Sequence, residues 1–162
     1  MHDDFERRLS AARDRSLAKQ AAPEGKHPLI TAIQDAIQEW ETRILPLIND
    51  VVEAANPLLK GSGWRVELGE GVCSVLLKHA CAEVALPYVA VLGRPEHDST
   101  MGSFYDPHIT IGVGDDGTIW IGPAGETDSH FLEKLDRSES FESFDRRHVE
   151  TAIADLVDAI TR

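Results

Sequence analysis

The chain has 162 residues, of which 42% are hydrophobic and 27% charged, the proportions of a single globular domain large enough to bury a core. Its net charge is −12, with residues 126–162 holding ten acids against five bases and residues 98–125 holding four acids and no Lys or Arg. Phosphate backbones and anionic bilayers would be repelled by that half, so neither nucleic acid nor membrane is an expected partner.

No apolar run approaches the roughly 18 residues of a membrane span. The opening Met1-His2-Asp3-Asp4-Phe5-Glu6 has acids where a signal peptide carries bases. Only two cysteines occur, Cys73 and Cys81, too few for a disulfide framework. Together these features predict a small acidic cytoplasmic protein.

Residues 3–20 read as a helix with a poor apolar face made by Phe5, Leu9, Ala12 and Leu17. Asp3 with Arg7 and Asp4 with Arg8 are i,i+4 pairs worth about 0.2–0.5 kcal/mol each. Residues 21–28 contain two prolines and a glycine and read as a linker, so residues 1–28 form an N-terminal helix plus linker ahead of one α+β domain over 29–162.

A long helix over about 29–56 is the strongest signal. Ile30, Ile33, Ile37, Trp40, Ile44, Leu47, Val51 and Ala54 recur at steps of three and four and line one side of a helix for about 36 Å. Leu45, Ile48, Val52 and Ala55 widen the apolar surface in its second half, which is therefore expected on a sheet. Pro46 predicts a kink and Asn56-Pro57 a stop. The stripe Ile30, Ile33, Ile37, Trp40 is the candidate interaction seam, and a second copy packing on it would make a homodimer.

Alternation then predicts strands. Trp64, Val66 and Leu68 form the first, Gly69-Glu70-Gly71 a turn, and Val72–Leu77 the second. Val84–Leu92 is the third, with Pro87 pointing to an edge or bulge. Residues 93–107 read as an irregular polar loop. Strands at 108–113 and 118–121 flank Gly114-Asp115-Asp116-Gly117 as a hairpin. A helical turn near His130–Leu135 and a final helix capped by Ser143 or Asp145 complete the chain. The expected fold is α+β: an antiparallel meander of about five strands against a long kinked helix and a C-terminal helix.

Two constellations could carry chemistry. Cys73, His79 and Cys81 share strand parity but lack the paired Cys-x-x-Cys spacing of a zinc site. His97, Asp98, Tyr105, Asp106 and His108 bracket the long loop, and if its flanking strands pair, two imidazoles and two carboxylates converge on an alternative pocket. No phosphate loop, dinucleotide fingerprint, nucleophile elbow or zinc-helix motif occurs, and the sequence assigns no catalytic residue, no metal set and no cofactor.

In size, acidity and element content the chain resembles bacterial secretion chaperones and immunity proteins. Those chaperones usually carry a helix between their third and fourth strands, where residues 93–107 read as irregular. The resemblance implies a non-catalytic protein-interaction module whose partners are a second copy or a basic protein. The alternative is a small-molecule or metal-binding domain, or an enzyme, built on the 97–108 loop and the adjacent strands.

Overall fold

The computed structural model describes residues 2–21, 28–77, 82–103, 106–122 and 137–162. The fold is α+β. Helix α1 spans His2–Ala21, α2 Pro28–Glu39, α3 Leu45–Leu59 and α4 Arg146–Thr161. Strands β1 (Trp64–Leu77), β2 (Ala82–Pro95), β3 (His108–Val113), β4 (Ile119–Ile121) and the three-residue β5 (Arg137–Glu139) form an antiparallel sheet in sequence order. Among the described residues, no helix is long and apolar enough to cross a membrane.

Two of the expected strands are one. Gly69-Glu70-Gly71 does not turn; β1 runs straight through, with Gly69 opposite Ala90 and Gly71 opposite Tyr88. Neither glycine takes a positive φ, whereas Gly61, Gly63 and Gly117 do. The reason for Gly71 lies across the ladder, where the Tyr88 ring occupies the space a Cβ would need, 2.5 Å away. Four strands therefore carry the sheet, and β5 adds a three-residue edge to which sequence reading assigns no strand.

The long helix is a relay of α2, one π turn over Trp40–Ile44, and α3. The Leu45 N–H bonds Trp40 O, five residues back, and Pro46 has no N–H to offer Thr42 O. The expected kink is thus a widened turn just ahead of the proline. Pro57 does not end the helix, which continues to Leu59. Its φ suits a helix, and one missing bond in the last turn is outweighed by the anchoring of Asn56 to β1 and of Leu59 to the core.

The core lies between the helices and one sheet face. Ile33, Trp40, Ile44 and Ile48 meet Val66, Val89, Val91, Ile109, Ile111, Val113, Ile119 and Ile121, and α4 adds Val149, Ala152, Ile153 and Leu156. Helix α4 starts at a capping box: Asp145 accepts from the Arg147 and His148 amides, and its own N–H donates to the His148 ring. Arg43, on the π turn, holds the chain ahead of α4 by donating to the Phe141 and Phe144 carbonyls.

The β3–β4 turn follows expectation. Gly114 N–H bonds Thr118 O, Gly117 takes φ 79°, and the Asp116 carboxylate accepts from Thr118 N–H and Oγ1. Helix α1 stands apart in character, with Phe5, Leu9 and Leu17 exposed. Of the expected linker over 21–28, Ala21 ends α1 and Pro28 opens α2, while residues 22–27 and the helical turn near His130–Leu135 lie outside the described residues.

Candidate interaction site

The stripe Ile30, Ile33, Ile37, Trp40 is taken up inside the chain. Trp40 is 2% exposed and Ile33 fully buried, and Ile30 and Ile37 pack half-buried against the same core. The core that takes up Ile33 and Trp40 also contains residues of the sheet. The sequence shows that the stripe must be covered but does not show by what.

The loop after β2 is organised by a residue that sequence reading passes over. Arg94, the penultimate residue of β2, has only 4% of its surface exposed. Its Nη1 donates to both Asp106 oxygens at 3.0 and 3.1 Å, and its Nη2 donates to the Thr100 carbonyl and to Thr100 Oγ1 at 2.9 Å. Asp98 lies 3.4 Å from Nη2 and Glu67 3.5 Å from Nε. Arg65 joins the group, donating to the Asp98 carbonyl at 2.9 Å. A buried guanidinium requires such partners, because an unpaired charge there would cost several kcal/mol. A single arginine in a polar stretch gives no sequence signal that it will be buried.

Asp98 and Asp106 thus come together as expected, but around a cation that belongs to the chain. Thr100 donates from its hydroxyl and its amide to Asp98, and these bonds hold that carboxyl below its usual range. His108 is buried, with its Nδ1 2.8 Å from the Asp106 carbonyl. His97 is exposed, and Tyr105 lies outside the described residues. Glu96 braces the other side of the loop. It accepts from the Gly61 and Gly63 amides at 2.8 and 3.1 Å, and those two bonds lower its pKa. The described residues hold no group of three or more His, Cys, Asp or Glu disposed for a metal ion. Of the Cys73, His79, Cys81 set, only Cys73 falls within the described residues; it is half-buried.

One rung crosses the sheet as Gly71, Tyr88, Gly112, Trp120, Ser138. A Cβ on Gly112 would meet Tyr88 Cβ at 2.8 Å and Trp120 Cζ2 at 2.9 Å. The rings lie over the glycines, and the alternation of large and none lets two aromatics pack on the face away from the helices. Burial, and then the neighbouring Cys73, push the Tyr88 phenol up.

An apolar groove of about 470 Å³ lies between α3 and α4, lined by Val51, Ala54, Ala55, Ile153, Ala154 and Val157. Leu58 stands at its lip, 86% exposed. Glu150, Asp158 and Arg146 rim it, with Arg146 bonded to Glu150 at 2.6 Å. The alanines along both helices leave room for side chains from outside. Sequence reading passes over Leu58 because it follows the expected helix stop at Pro57.

No family model matches the chain, and no curated protein or solved structure matches it either.

Proposed function

We propose that the chain is a non-catalytic protein-interaction module, of a chaperone-like or immunity-like kind, that takes a basic amphipathic helix of another protein into the groove between α3 and α4. The observation that carries this reading is Leu58, a large apolar side chain 86% exposed at the lip of an apolar groove. Covering one such side chain contributes about 1.5–3 kcal/mol. An apolar groove between two helices suits an incoming helix that sets anchors at i, i+3, i+4 and i+7. Glu150 and Asp158 at the rim, on a chain of net charge −12, favour bases on the rest of that helix and raise its rate of encounter. The alternative, a ligand or metal site on the 97–108 loop, draws less support, because Asp98 and Asp106 are already bonded to Arg94 and Thr100.

The test is a titration by fluorescence anisotropy with a synthetic helix bearing leucines at that spacing and lysines elsewhere. Binding is expected to weaken with salt and to fall at least about tenfold in Ala154→Trp, which fills the groove from an exposed position. Equal binding by the wild type and Ala154→Trp would remove the groove from consideration.

A further inference from the structure

Strand β1 is the edge of the sheet, paired with β2 on one side only. Its outward backbone can be read from one residue. The Val66 N–H and C=O point away from β2 and bond the Asn56 side chain at 2.9 and 3.0 Å. By strand periodicity, the N–H and C=O of Leu68, Glu70, Val72, Ser74 and Leu76 point the same way. No described residue bonds those groups. Ser62 and Asn56 therefore close the outward positions at Trp64 and Val66, and five that no described residue bonds follow, on a strand 14 residues long.

Edges of that length are usually guarded by lysine, proline, a bulge or a covering element. This stretch has only Glu70. Val72 and Leu76 are 66% and 62% exposed. They flank Ser74, and all three side chains lie on one face by strand period. Beside Val72 is a hollow of about 300 Å³ lined by Trp40, Leu45 and Pro87. The surface is also neutral in a strongly acidic protein: residues 71–77 and 84–93 contain no charged side chain.

We infer that β1 pairs antiparallel with β1 of a second copy about a two-fold axis at Val72, joining the two sheets. The middle of the five open positions is Val72, so this register uses all of them. It sets Val72 against its twin, Glu70 against the partner's Ser74, and Leu68 against the partner's Leu76. Every pair is either apolar or a carboxylate facing a hydroxyl, and such cross-strand pairs are favourable. Sliding the axis to Glu70 would put two carboxylates face to face, which is unfavourable. A second copy fits this edge better than a basic protein does, because the edge offers a base almost nothing to pair with. The remaining acids of the two copies repel, so added salt strengthens the dimer. The inference is independent of the groove between α3 and α4, which involves none of these residues.

Multi-angle light scattering across the micromolar range, together with amide hydrogen exchange on the full chain, tests it. The wild type is expected to dimerise, with the amides of Glu70, Val72 and Ser74 protected in proportion to dimer formed. Ser74→Pro removes an outward N–H that no described residue of the chain uses, and it deletes no apolar group. It should fold with unchanged circular dichroism and raise the dimer Kd about tenfold or more. If Ser74→Pro does not fold, Val72→Lys sets two cations face to face on an unaltered backbone and should likewise give a monomer. A monomeric wild type at every concentration would overturn the inference. So would a dimer that survives in the folded variant, or one whose outward β1 amides exchange freely.

Discussion

The side-chain amide of Asn56 bonds the backbone of Val66 in both directions, as a neighbouring strand would. One side chain thereby ties the last turns of α3 to the open edge of β1, and it satisfies a donor and an acceptor that helix packing would otherwise strand. Asn56→Ala should lower the unfolding free energy by about 1–3 kcal/mol, measured by urea denaturation, because both Val66 groups lose their partner. Asn56→Asp should cost at least as much at neutral pH, since a carboxylate faces the Val66 carbonyl. A variant as stable as the wild type would mean that water replaces the amide without loss.

Arg94 is the cation around which three acids are arranged. Arg94→Met should destabilise by about 3–5 kcal/mol, because it leaves Asp106 and its neighbours without their counter-charge. Arg94→Lys should recover only part of this, since an ammonium cannot reproduce the two-pronged bond to Asp106 together with the bonds to Thr100. Denaturant midpoints of the two variants decide it, and full rescue by lysine would show that charge alone matters.

The Glu96 carboxylate gives the fold an acid-sensitive brace. Its pKa in the fold lies below its unfolded value, first through the Gly61 amide and then through that of Gly63. The stabilisation is therefore complete above the unfolded value of roughly 4.3 and is lost as pH falls through the lower folded value. Glu96→Gln should be less stable than the wild type at neutral pH, and the gap should close as the pH is taken below about 4. Melting curves across that range check it; a gap that does not change with pH would mean that charge plays no part.

Trp40→Ala should cost about 3–5 kcal/mol, because the ring lies 2% exposed in the core. The loss should be the same at every protein concentration, since the chain's own sheet supplies the cover. A loss that changed with concentration would return the stripe to a subunit interface.

Gly112→Ala should destabilise by about 1–3 kcal/mol by forcing its Cβ against Tyr88 and Trp120. Gly69→Ala, whose Cβ meets nothing closer than 4.0 Å, should be neutral or slightly stabilising. Thermal melts of the pair separate the crowding at the rung from a general dislike of glycine replacement in the sheet.

Helix content, the β3–β4 hairpin and the Asp145 cap are legible in the sequence because each depends on residues within a few positions of one another. The fate of Gly69-Glu70-Gly71 is not. Two glycines around an acid read as a turn until Tyr88 is known to need the space over Gly71, and that need arises from pairing 17 residues away. The loop shows the same limit. Asp98 and Asp106 stand out as acids that could converge, but their partner is an arginine whose burial depends on tertiary packing. The stripe through Trp40 is plain in its spacing, yet spacing cannot tell a sheet in the same chain from a helix in another.

The tryptophans are divided between the two faces of the sheet. Trp40 sits in the core beneath the helices, while Trp120 lies over Gly112 on the opposite face, next to Tyr88. The emission of Trp120 follows the packing at the rung, whereas emission from Trp40 follows the seating of the helices. With Trp64 replaced by phenylalanine, the protein carries its own pair of optical reporters, one for each layer. The order in which the layers loosen can then be followed without any added label.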